Sequence, residues 1–108
     1  MSFKITGSKG FHLRFTNGLV LSTQFGGGNY CDNYDEVEIG SEGKLGNPLI
    51  SSNAEIAIWI RSGKRKGEWL TEEMVKELFP GETADQVMGY VGMEKWLKVV
   101  DWCRGYKR

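Results

Sequence analysis

The densest chemistry in this 108-residue chain lies between residues 26 and 35. Gly26, Gly27 and Gly28 followed by Asn29 can turn consecutive backbone N–H groups toward one point, the geometry of an anion nest. Tyr30 and Tyr34 add flat stacking surfaces, and Asn33 adds an amide. Asp32, Asn33 and Asp35 then supply oxygen acceptors, so a donor half precedes an acceptor half. Three readings stay open: a phosphate site on the first half, an oxygen-ligand metal site on the second, or a structural glycine bulge with the tyrosines folded onto a sheet. A P-loop is excluded because its lysine and following helix are missing, and no GxGxxG opens a βαβ unit. An EF-hand is excluded because its glycine and distal glutamate would fall at other offsets. No metal ligand set and no cofactor is therefore assigned.

A second stretch, Arg61, Ser62, Gly63, Lys64, Arg65, Lys66 and Gly67, concentrates positive charge in a glycine-flanked turn. Lys64, Arg65 and Lys66, with Arg14, are the candidates to supply counter-charge to a phosphate; the alternative is a solvated hairpin tip. His12 is the one histidine, and no Ser/His/Asp or Cys/His set assembles around it, so no catalytic residue is named and the chain reads as a non-enzyme. Asp32 beside Cys31 would raise rather than lower that thiol's pKa. Cys103 falls on an apolar stripe and reads as core. Trp96 also reads as core, whereas Trp59, Trp69 and Trp102 are either partly buried or an exposed aromatic patch.

Fourteen acidic and fourteen basic residues exclude a generic nucleic-acid coat, which needs a surplus of positive charge. The charge is blocked, however: residues 1–31 and 56–68 are basic, as is the tail with Arg104, Lys107 and Arg108, while residues 32–55 and 69–103 are acidic. Residues 1–10 lack the apolar core of a signal peptide, and no apolar run suits a membrane span. Two distant cysteines with no CxxC point to a reducing, cytoplasmic setting, with a single Cys31–Cys103 cross-link still open.

The elements that must position these residues follow from hydrophobic period. Alternation predicts a first strand over residues 3–6 and a second over 11–15, with Phe11, Leu13 and Phe15 on one face. Thr16, Asn17 and Gly18 form the turn into a strand over 19–25. A three-residue loop with Gly18 in a left-handed bulge pairs Phe15 with Leu19, Leu13 with Leu21 and Phe11 with Thr23. A two-residue loop would set polar side chains on the apolar face, so the three-residue register is predicted. It leaves His12 and Arg14 together on the opposite face. Glu36, Val37, Glu38 and Ile39 suggest a short strand, and residues 40–53 an extended connection. Residues 54–60 read as a central strand, with 68–70 completing a hairpin after the basic turn. The period then becomes 3.6. Thr71 is the expected N-cap of a helix whose buried stripe is Met74, Val75, Leu78 and Phe79, stopped by Pro80 and Gly81. Thr83, Ala84, Asp85 and Gln86 have capping-box spacing and predict a short second helix through Val87 and Met88. Residues 93–104 form the last helix, with Met93, Trp96, Leu97, Val100 and Cys103 as its apolar stripe. The expectation is one α+β domain over 1–108: a curled antiparallel sheet of four to six strands over about 3–70, packed by two or three C-terminal helices over about 72–104.

The run from Phe11 and His12 through Asn17 and Gly18, then Gln24, Phe25, Gly26, Gly27, Gly28, Asn29, Tyr30, Cys31, Asp32 and Asn33, resembles small uncharacterised proteins of bacteriophages and prophages. Asn53, Ala54, Glu55, Ile56 and Ala57 share that resemblance, which covers the first sixty residues best. It implies the context of a phage accessory protein: an inhibitor of a host defence enzyme, or a sponge for a nucleotide-like immune signal. Combined with the residues above, the expected function is a homo-oligomeric binding module for a phosphate-bearing, nucleotide-like ligand, held by Gly26, Gly27, Gly28, Asn29, Tyr30, Asn33, Tyr34, Arg14, Lys64, Arg65 and Lys66. The alternative is a protein–protein inhibitor that docks on a host defence protein through the acidic 32–55 segment.

Overall fold

The computed structural model describes residues 1–5, 9–25, 29–31 and 51–107. Five strands form one open antiparallel sheet in chain order: β1 (Ser2–Ile5), β2 (Gly10–Arg14), β3 (Leu19–Gln24), β4 (Asn53–Ile60) and β5 (Met88–Gly92). Two helices, α1 (Thr71–Leu78) and α2 (Met93–Gly105), cover one face, giving the expected α+β class. The strand expected at 36–39 and residues 40–50 of the connection after it lie outside the described residues, and Asn53 already begins β4.

The β2–β3 hairpin has the register that burial demanded. Phe11 opposes Thr23 and Leu13 opposes Leu21, while the Phe15 N–H donates to the Leu19 carbonyl. Gly18 at φ 93° supplies the left-handed turn residue. One face of β3 and β4 (Leu19, Leu21, Ile56, Ile58, Ile60) is fully buried under Leu70, Met74, Val75, Val99 and Cys103. The other face carries His12, Arg14, Val20, Ser22, Ala57 and Trp59.

The outer edge of β4 changes partner partway along. Its first half pairs with β5, Ala54 opposite Val91 and Ile56 opposite Met88. Its second half is closed by the chain leaving the basic turn. Ile60 N–H donates to the Glu68 carbonyl and Leu70 N–H to the Ile58 carbonyl, and Trp69 bridges Trp59. Thr71 sits at the junction and is fully buried. Its Oγ1 accepts from the Ile58 N–H (2.9 Å) and donates to the Gln86 carbonyl (2.8 Å). Thr71 is therefore not the N-cap expected from its type; Leu70 holds that position without a side-chain cap bond.

The short helix expected at residues 83–88 does not form. The Asp85 carboxylate accepts from the Val87 N–H, a local bond that competes with helix formation. Met88 then begins β5, because Met88 and Val91 can bury on the free edge of β4. The strand carries one extra residue opposite Glu55, a bulge with Tyr90 at φ 55°. Gly89 is required there, since a Cβ would come within 2.8 Å of the Tyr30 Cβ.

The stripe of α2 also differs from expectation. Met93 and Leu97 are exposed, whereas Val99, absent from the expected stripe, is fully buried. Two anchors set this rotation. Trp96 Nε1 donates to Thr23 Oγ1 (2.8 Å) near one end, and Asn17 Nδ2 donates to the Cys103 (2.8 Å) and Tyr106 (3.0 Å) carbonyls at the other. The β2–β3 turn thus satisfies helix-end carbonyls that would otherwise be orphaned. Cys103 is buried beneath this contact, which pushes its thiol up to about 12, and it forms no disulfide with Cys31.

Replacing Thr71 by valine keeps the volume but strands the buried Ile58 N–H, while the carbonyl of the exposed Gln86 can turn to water. Urea unfolding of Thr71→Val is expected to show a loss of about 1–3 kcal/mol, the desolvation cost of one stranded buried group. Thr71→Ser should recover most of that loss.

Candidate functional site

The sheet face away from the helices places a row of aromatic and basic side chains side by side. Register sets Lys4 beside His12 and Arg14 beside Val20, which in turn opposes Trp59; Trp69 lies beyond Trp59. His12 and Trp59 are on strands two spacings apart, about 10 Å. Their ring centroids are nevertheless only 5.0 Å apart, at 84° between planes. The rings therefore close over β3, and Val20 and Ser22 beneath them are 4% and 7% exposed. Trp69 packs edge-on against Trp59 (5.3 Å) and stays 46% exposed. The result is an aromatic ridge His12–Trp59–Trp69 with a small-residue floor.

Charge around the ridge is mostly positive. Lys4 and Arg14 are exposed and form no ion pair among the described residues. Burial, then the fields of Lys4 and Arg14, lower the His12 pKa from 6.5. Arg61 follows β4, where its guanidinium donates to the Phe15 carbonyl (2.8 Å) and its backbone N–H to the Gly18 carbonyl. Lys64 and Lys66 are exposed in the turn beyond it and also form no ion pair among the described residues. Arg65 is engaged elsewhere. It forks onto Glu68 (3.0 and 3.1 Å) and donates to the Tyr106 hydroxyl (3.3 Å), contacts that raise its own pKa and lower that of Glu68.

The sequence-derived site residues fall into two groups. Arg14, Lys64, Arg65 and Lys66 gather at the end of the sheet where the β2–β3 turn and the basic turn meet. Asn29 and Tyr30 lie at the opposite end of β4: Asn29 Nδ2 donates to the Phe25 carbonyl, and the Tyr30 N–H donates to Glu55. The Tyr30 carbonyl accepts from the Tyr90 N–H (2.8 Å), which docks the segment on the β5 bulge. From Glu55 to Arg61 the strand runs roughly 20 Å, so the described members of these groups do not share one pocket. Gly26, Gly27, Gly28, Asn33 and Tyr34 lie outside the described residues, as does the acidic segment apart from residues 51–55.

Tyr30 and Tyr90 do border an open cleft of about 540 Å³, but the charged side chain in its wall is Asp85, which repels phosphate. Among the described residues no cluster of three His, Cys, Asp or Glu side chains could hold a metal ion. No helix of these residues is long and apolar enough to cross a membrane. The ridge itself was only partly visible in advance. Alternation placed His12 with Arg14, and Trp59 opposite the isoleucines. The expected alternative of an aromatic patch holds for Trp59 and Trp69, whereas Trp102 on α2 packs on Tyr106 and donates to Glu77.

The lowered His12 pKa means that folding favours the neutral imidazole. Its contribution to stability is fully present above pH 6.5 and lost as pH falls through the folded value. Arg14→Gln removes part of the positive field. NMR titration should place the His12 pKa of that variant above wild type, and its urea stability should fall less between pH 7 and 5. No known protein family, curated protein or solved structure matches this chain.

Proposed function

We propose that the protein is a non-enzymatic binding module for a phosphate-bearing, nucleotide-like ligand, taken up on the open sheet face. The observation that carries this reading is the His12–Trp59–Trp69 ridge, with Lys4 and Arg14 exposed on the same face and Lys64 and Lys66 exposed in the turn that precedes Trp69. Bases stack on exposed aromatic side chains whatever their identity, and lysine or arginine meets the phosphate. Trp69, half exposed beside the basic turn, is the stacking surface in this reading, with Lys64 and Lys66 as the phosphate contacts. In this reading the ligand is bound rather than turned over: His12 pairs across strands with Lys4 and Ser22, its ring packs on Trp59, and the charges that act on it are those of Lys4 and Arg14. In the phage setting that the resemblance implies, such a module would sequester a signalling nucleotide in the host cytoplasm. Association into a homo-oligomer belongs to the same reading, supported by edge strand β1, where Phe3 is 81% exposed.

Calorimetry and tryptophan fluorescence against a panel of mono-, cyclic and ADP-ribose-type nucleotides test it. Binding to at least one ligand is expected, with quenching of tryptophan emission. Trp69→Ala should weaken that binding about tenfold or more, since base stacking contributes roughly 1–3 kcal/mol. Silence from every nucleotide in a folded sample would refute the reading.

A further inference from the structure

We infer that the open face takes a single-stranded oligonucleotide rather than one mononucleotide, an inference that rests on the nucleotide reading above. Arg14, Lys64 and Lys66 lie toward one end of the strands, but together with Lys4 the cations form two groups spread across the width of the sheet. Lys4 and Arg14 stand on β1 and β2, while Lys64 and Lys66 follow β4, beyond Trp59 and next to the segment carrying Trp69. From β1 to the Trp69 segment there are four strand-to-strand steps, about 19 Å. A single base and phosphate can engage one ring and one of these groups, not both. A chain with successive bases and phosphates can run across all of them. The face has the breadth for it, since four-stranded RNA-reading sheets stack two or three bases across a comparable width.

The charge pattern favours the same ligand. Glu55, at the far end of β4, accepts from the Tyr30 backbone away from the ridge, and Glu68, next to Trp69, is paired with Arg65. At His12, burial first and then the fields of Lys4 and Arg14 lower the pKa, so the charge acting there from the described residues is positive. A phosphate track lying over His12 and Trp59 would offset that field. Overall neutrality of the chain is compatible with this, because a short track needs only local charge.

The test compares thymidine monophosphate with hexathymidylate and hexauridylate by tryptophan fluorescence over a salt series. At least one hexamer is expected to bind ten or more times as tightly as the monophosphate. Its log affinity should fall with log salt at a slope of about −2 to −3, as for three or four phosphate contacts on a single strand. Arg14→Gln and the pair Lys64→Gln/Lys66→Gln, all at exposed positions, should each weaken the hexamer at least threefold with the circular dichroism unchanged. Hexamers that bind no tighter than the monophosphate would overturn this inference and leave the nucleotide reading standing. A tight hexamer insensitive to Arg14→Gln would overturn the proposed track. Absence of binding by monophosphate and hexamers alike, in folded protein, would overturn both.

Discussion

The hydroxyl of Thr71 is the contact on which this arrangement turns. A strand in the interior of a sheet must satisfy its N–H and carbonyl groups on both sides. For β4 the outer side is shared between β5 and the chain that leaves the basic turn, and neither partner reaches the Ile58 N–H. Thr71 Oγ1 accepts from it and donates to Gln86, so one buried side chain closes the gap in the ladder. The same contact fixes where α1 begins and where the chain must stand before it turns into β5. Asn17 plays a parallel part at the C-terminal end of α2, joining the β2–β3 turn to the last helical carbonyls.

These two polar contacts let the sheet keep two unlike faces. Under the helices, burial is nearly complete and apolar, with Thr23 as a polar exception bonded to Trp96. On the other face the small side chains of Val20 and Ser22 are shielded by His12 and Trp59 leaning together across β3. Shielding by large aromatic side chains lets this face exclude water while it still presents rings and cations outward. Flat rings and solvated cations are what the proposed stacking and phosphate contacts would use.

Alternation of apolar residues determined much of this protein. It determined the α+β class, the register of the β2–β3 hairpin, the central place of β4, and the positions of α1 and α2, because each depends on a local period and on burying one face. It also put His12 and Arg14 on the face away from the core. Three things were decided only by tertiary structure. Residues 83–88 carry a helix-start pattern, yet Met88 pairs on the edge of β4, where burial outweighs a capping preference. Thr71 carries a cap residue's chemistry, yet bonds to a strand distant in sequence. The stripe of α2 is turned so that Val99 is buried and Leu97 exposed, because Trp96 and Asn17 hold the helix from outside it. Local pattern cannot encode such contacts, since their partners lie 13 to 89 residues away. The aromatic ridge combines both origins: its residue types were legible in the chain, and only the pairing of Trp59 with Trp69 made them one surface.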